Sequence, residues 1–247
     1  MIADPAGEPC ADGFVALAGH FPDRTVIAYD PRSAGRSQRT DGVLVNTPEE
    51  HADDLHRLIG AVGAGPADIF ASSGGAVNAL ALAGRHPEQI STLIAHEPPA
   101  FRELPDGEYV LAACADIHQT YQRSGLGPAM AKFIALITHQ GPVPPGYLSR
   151  PAPDPAGDDG SRDHPLMANM RWCEGYRHDF GALRASPARI VMGVGEDSAA
   201  TVAGRAGIAV AGRLGTPPVT FPGGHEGFLT GKPDAFAATL REILNQS

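Results

Sequence analysis

The chain is poor in cysteine, in aromatic side chains and in positive charge, and it has no long apolar run. Its three cysteines, Cys10, Cys114 and Cys173, are odd in number and lack any C-x-x-C spacing, so they indicate neither a disulfide framework nor a zinc site. A reducing, cytoplasmic setting is expected. With 19 Lys and Arg against 28 Asp and Glu the formal charge is −9, and no basic run is interleaved with aromatics, which argues against a nucleic-acid partner. Nowhere do about 18 apolar residues follow one another, and Met1 to Gly13 has no positively charged start, so neither a membrane span nor an export signal is expected. No H-E-x-x-H spacing occurs among the histidines, and no metal is assigned.

What is present suits a folded enzyme-sized domain. The 247 residues are 43% hydrophobic and 19% charged, enough to bury a core in one α/β domain with an excursion. Short β-branched runs at Thr25–Tyr29, Asp68–Ala71, Ile90–Ala95, Arg189–Val194 and Val219–Phe221 read as strands buried on both faces, as in a parallel sheet. Between them lie helical stripes: Phe14, Leu17, Ala18 and Phe21; Leu55, Leu58, Ile59 and Val62; Phe236, Leu240, Ile243 and Leu244. Thr47-Pro48-Glu49-Glu50 carries the cap hydroxyl, first-turn proline and glutamate of a capping box. From Phe101 to about Ser186 the rhythm breaks into helical patterns without a strand, which predicts an inserted helical lid. Within it Pro151–Pro165 reads as a mobile surface loop.

Three places can carry chemistry. At Ala71-Ser72-Ser73-Gly74-Gly75 a strand turns into a helix with almost no loop. Such a reversal strains its central residue and needs small side chains two places before and after it; Ala71 and Gly75 meet that need around Ser73. The hydroxyl would project from the carboxyl edge of the sheet, with the Gly74 N–H aimed at developing negative charge. Asp197 follows another strand, where its carboxylate could orient an imidazole. His225 follows the last strand, between glycines that leave the ring unobstructed. Plainer uses exist for each: Ser73 in a connecting turn, Asp197 as a helix cap, His225 as a packed histidine. Glu97, after the Ile90–Ala95 strand, is the alternative acid. The order nucleophile, acid, base, each after a strand, favours the catalytic reading.

The run Tyr29-Asp30-Pro31-Arg32-Ser33-Ala34-Gly35-Arg36-Ser37 resembles the turn after the fourth strand of α/β-hydrolases. With the Ser73 turn, Gly195-Glu196-Asp197 and Pro222-Gly223-Gly224-His225, the resemblance covers nearly the whole chain. It implies an α/β-hydrolase fold: a doubly wound, mainly parallel sheet with helices on both faces and a helical lid between the sixth and seventh strands. Residues 1–100 and 187–247 would form the core and 101–186 the lid. A triad of Ser73, Asp197 and His225 is implied, with Arg32 bracing its own turn. The pattern departs from the family at Ala71, where glycine is usual, and at the start, where the N-terminus looks shortened. The loop Asp4-Pro5-Ala6-Gly7 should supply the second oxyanion N–H; Pro5 has none, which leaves Ala6 or Gly7.

The expected activity is serine hydrolysis of a small or medium ester, thioester or lactone through an acyl-enzyme, with no cofactor. Perhydrolysis or carbon–carbon bond hydrolysis on the same three residues, and an inactive hydrolase-like binding protein, are the alternatives. The partner expected is a small acyl substrate, with no nucleic acid and no membrane; a homodimer is one assembly compatible with the sequence.

Overall fold

A computed structural model describes residues 2–4, 12–43, 45–149 and 164–246. Among these residues six strands form one sheet: β1 (Ile2–Asp4), β2 (Ile27–Ala28), β3 (Ala67–Ser72), β4 (Ile90–His96), β5 (Arg189–Gly195) and β6 (Val219–Phe221). Their spatial order is β2-β1-β3-β4-β5-β6 and every pairing is parallel. Because β2 lies on one side of β1 and β3 on the other, winding reverses between β1 and β3. In open α/β sheets the crevice beyond the strand ends at such a reversal is where ligands bind.

Both faces are covered. Alternation along the strands sends Ile69, Ala71, Leu93, Ala95 and Met192 to one face. There they pack with α2 (Pro48–Val62), α3 (Gly74–Arg85), α7 (Phe180–Ala185) and α8 (Val202–Leu214). Phe70, Ile94 and Phe221 point the other way, against α1 (Asp12–Gly19) and α9 (Pro233–Leu244). Helix α2 begins with the capping box read from its sequence: the Glu50 N–H donates to Thr47 Oγ1 at 3.3 Å and the Thr47 N–H to Glu50 Oε2 at 3.0 Å. Its apolar stripe is narrower than the spacing suggests. Leu55 and Ile59 are buried, but Val62, in the last turn, is 45% exposed.

The first strands differ from expectation. Ile27–Ala28 alone pairs where the sequence predicts Thr25–Tyr29: among the described residues β2 has one neighbour, β1, described over three residues. Arg32 donates through Nε and Nη2 to both carboxylate oxygens of Asp54 at 2.7 and 2.6 Å, which ties the turn after β2 to α2.

Between β4 and β5 the described residues hold helices and no strand: α4 (Gly107–Ser124), α5 (Leu126–Ile137), α6 (Pro165–Glu174) and α7. Val110, Ile117, Tyr121, Ala129, Leu136 and Met170 form a separate apolar cluster completed by Val202 and Ala206 of α8. Buried Asp106 ties this segment to α8. Its carboxylate accepts from both terminal nitrogens of Arg205 and, at 2.7 Å, from the Val143 N–H. The expected loop lies outside the described residues up to residue 163, and Pro165 opens α6. Among the described residues no helix is long and apolar enough to cross a membrane.

Candidate active site

Strand register sets the site. Ser72 lies opposite His96, His96 opposite Gly193, and Gly195 opposite Phe221. The turns that follow β3, β4, β5 and β6 therefore emerge side by side at one edge, bringing residues 73, 97, 195–198 and 222–225 together.

Ser73 occupies a strained turn, with φ 55° and ψ −129°. A non-glycine residue there costs on the order of 1–3 kcal/mol and persists only when its surroundings impose it. The Ser73 N–H donates to the His96 carbonyl at 2.9 Å, and the Ser73 carbonyl accepts from Ala76 at 2.9 Å. Ala71 and Gly75 on either side are buried. Although Ser73 is the cap residue of α3, its hydroxyl makes no capping hydrogen bond. Gly74 opens α3, so its N–H falls among the first-turn donors that have no acceptor within a helix.

His225 leaves β6 through Gly223, whose φ is +85°. Its Nδ1 lies 2.7 Å from Glu97 Oε2. That contact corrects the expected acid. Asp197 is exposed, and its tie to the histidine loop runs through the backbone, the Asp197 N–H donating to the Gly223 carbonyl at 3.0 Å. The tight turn after β5 directs other groups inward: the Gly195 N–H donates to Glu97 Oε1 at 2.8 Å and the Ser198 hydroxyl donates to the same oxygen. Any Cβ on Gly195 would sit 2.6 Å from the Gly223 carbonyl oxygen and 2.7 Å from Ser198 Oγ, so only glycine lets the two turns close on the carboxylate.

Glu97 is fully buried, with φ 46°. Burial alone would hinder its ionisation, but the hydrogen bonds from His225 and the Ser198 hydroxyl, together with the two imidazoles beside it, outweigh that and hold its pKa below the usual value. A buried carboxylate accepting three hydrogen bonds is a fixed anion. Pro98 and Pro99 follow it directly, leading the chain into the helical segment.

Behind the relay, His96 is buried among Phe221, Phe236 and His225, with ring centroids 5.6, 5.3 and 6.2 Å away. Burial lowers its pKa to about 4, so it is neutral at pH 7. Ligand atoms of His96, Glu97 and His225 lie within 4.8 Å of one another, a spacing compatible with a metal ion. Both Glu97 oxygens are already engaged by donors, which fits a hydrogen-bond relay.

Ser73, Gly74, Glu97 and His225 line one small cavity. Pro99, Phe101, Phe133, Ile137, Leu166, Met170 and Ala203 supply most of the remaining wall, so it is mainly apolar. Among the described residues no hydrogen bond joins the Ser73 hydroxyl to His225. Of the aromatic groups in the helical segment, Phe133 lines the cavity, whereas Tyr121 is packed in the helical cluster and Trp172 is 47% exposed. Ala6 and Gly7, the candidates for the second oxyanion donor, lie outside the described residues. Sequence reasoning missed Ser198 and Glu174, which also lines the cavity. Only a buried acceptor opposite Ser198 would have singled it out.

Comparison with known proteins agrees with this architecture. The model of the alpha/beta hydrolase fold family matches residues 7–116. A Bacillus subtilis (strain 168) protein named "Uncharacterized hydrolase YraK" is 30% identical over 243 residues, covering 96% of this chain and 85% of the relative. A thermophilic esterase from Thermogutta terrifontis superposes with a TM-score of 0.70 at 20% identity, covering 99% of this chain and 88% of that one. A proline iminopeptidase-related protein from Thermus thermophilus gives 0.64 at 20% identity, covering 99% and 88%.

Proposed function

We propose that this hydrolase, which belongs to the α/β-hydrolase fold family, cleaves a small or medium carboxylic ester, thioester or lactone through an acyl-enzyme on Ser73. The observation that carries the reading is the His225 to Glu97 hydrogen bond, made in the wall of a cavity that is also lined by a serine on a strained turn.

In this reading Ser73 Oγ attacks the substrate carbonyl while His225 Nε2 takes the hydroxyl proton. Glu97 keeps the other ring proton on Nδ1 and stabilises the imidazolium as it forms. The Gly74 N–H accommodates the negative charge that moves onto the carbonyl oxygen. Collapse of the tetrahedral intermediate breaks the bond to the alcohol or thiol, which leaves with the proton held by His225. Water then attacks acyl-Ser73 with the same imidazole as base, releasing the acid and restoring the serine. No step asks for a cofactor.

A fluorophosphonate probe tests this directly. Wild-type protein should label at Ser73 and hydrolyse 4-nitrophenyl acetate, and Ser73→Ala should lose labelling and about a millionfold in turnover, as loss of a triad nucleophile does. A folded Ser73→Ala variant that keeps near-normal turnover would refute the assignment.

A further inference from the structure

We infer that Glu174 is the specificity-determining residue of the cavity, binding a hydroxyl carried on the acyl chain of the substrate, so that hydroxyacyl esters are the substrate class. This rests on the serine-hydrolase reading above and adds to it the end of the substrate remote from the reacting carbonyl.

Glu174 closes α6 and lines the same cavity as Ser73 and His225. It is 2% exposed, and its Oε1 has no hydrogen-bond partner. The buried Cys114 thiol on α4 lies beside the carboxyl. At least one carboxyl oxygen is therefore buried without a partner in a wall that is otherwise mainly apolar. Burying an oxygen without a partner costs roughly 1–3 kcal/mol, fivefold to about a hundredfold in an equilibrium, so such groups are normally paired when the site is filled. Small-molecule sites have this composition, apolar walls with a few placed polar groups. The other polar side chains of the described lining are Ser73, Glu97 and His225, which the proposed reaction employs, and Cys173.

The carboxyl itself selects the kind of group it takes. Burial raises its pKa to about 8, so at pH 7 it is mostly the neutral acid. A cation would have to ionise it and give up its own water against mainly apolar walls, where desolvation offsets the attraction. A second carboxylate would meet an acid with no Lys or Arg among the described lining side chains. An alcohol demands neither, and because it both donates and accepts, it satisfies Oε1 whether that oxygen carries the proton or not.

The test compares 4-nitrophenyl esters of straight-chain acids of four to eight carbons, each with a methyl end and with a terminal hydroxyl. The quantity read is the ratio of kcat/KM within each pair, which is independent of how much active protein is present. For wild type the ratio should favour the hydroxyl by roughly tenfold or more at one chain length. Glu174→Gln, still a neutral hydrogen-bonding group, should keep a preference, and Glu174→Met should lose or invert it. No preference at any length in wild type, or an unchanged preference in Glu174→Met, overturns the inference. Binding to Ser73→Ala separates this result from the chemistry: 6-hydroxyhexanamide should bind more tightly than hexanamide, and only while Glu174 is present. Equal binding of the two amides overturns the role of Glu174, whereas absent turnover in wild type with selective binding intact overturns the hydrolase reading alone.

Discussion

Replacing Glu97 by Gln discriminates between the two acids. The amide has the same shape, and its oxygen can still accept from the Gly195 N–H and the Ser198 hydroxyl, the two donors that hold Oε1. Its NH2 then occupies the place of Oε2, 2.7 Å from His225 Nδ1. A donor facing Nδ1 obliges that nitrogen to accept, so the ring proton moves to Nε2, the nitrogen that must receive the serine proton. The equivalent exchange in a serine protease costs about ten-thousandfold in kcat, roughly 5.5 kcal/mol at the transition state, and a loss of that order is expected here. Asp197→Asn removes an exposed charge and leaves the Asp197 N–H on the Gly223 carbonyl, so kcat should stay within about twofold, as surface substitutions usually do. Steady-state hydrolysis of 4-nitrophenyl acetate measures both. Near-normal turnover in Glu97→Gln alongside collapse in Asp197→Asn would refute the assignment of the carboxylate.

Two further outcomes bear on the buried groups. Glu174 has a folded-state pKa of about 8 against an ordinary value of 4.5. The folded form therefore holds its proton across that window, and stability present below pH 4.5 is lost as pH rises through 8. The span amounts to a few kcal/mol at roughly 1.4 kcal/mol per unit. Urea melts from about pH 5 to 8 should show wild type losing stability relative to Glu174→Gln; parallel curves would contradict the burial of an ionisable group. Gly195→Ala forces a methyl against the Gly223 carbonyl and Ser198, so it should lose about 1–3 kcal/mol in denaturant melts together with much of the esterase rate. Wild-type stability and rate in that variant would mean that the two turns do not meet as described.

Much of the fold is legible in the sequence because the signals are local. Buried parallel strands read as β-branched runs, and Thr47 to Glu50 encodes its helix start in four residues. The turn at Ser73 is equally local, since the small neighbours Ala71 and Gly75 are what so sharp a reversal demands. Strand β1 is harder to read: three residues carry little pattern, and they become a strand by pairing with β2 on one side and β3 on the other. The acid cannot be decided locally. Glu97 and Asp197 both follow parallel strands, adjacent in the sheet, and the outcome depends on the left-handed backbone at Glu97 and on which groups the turn after β5 sends inward. Glu174 is invisible for a related reason, since its environment is assembled from α4, α5 and α6.

Pro98 and Pro99 give the site a mechanical property. Proline fixes its own φ and restricts the residue before it, so Glu97 is coupled to the helical segment through two stiff units, with Ala100 and Phe101 folded back by hydrogen bonds to the two proline carbonyls at 2.7 and 2.9 Å. The junction works as a clamp rather than a hinge. Rocking of the outer helices would be absorbed beyond Phe101, and their sequence is free to drift toward new substrates while the anion beneath the imidazole keeps its place.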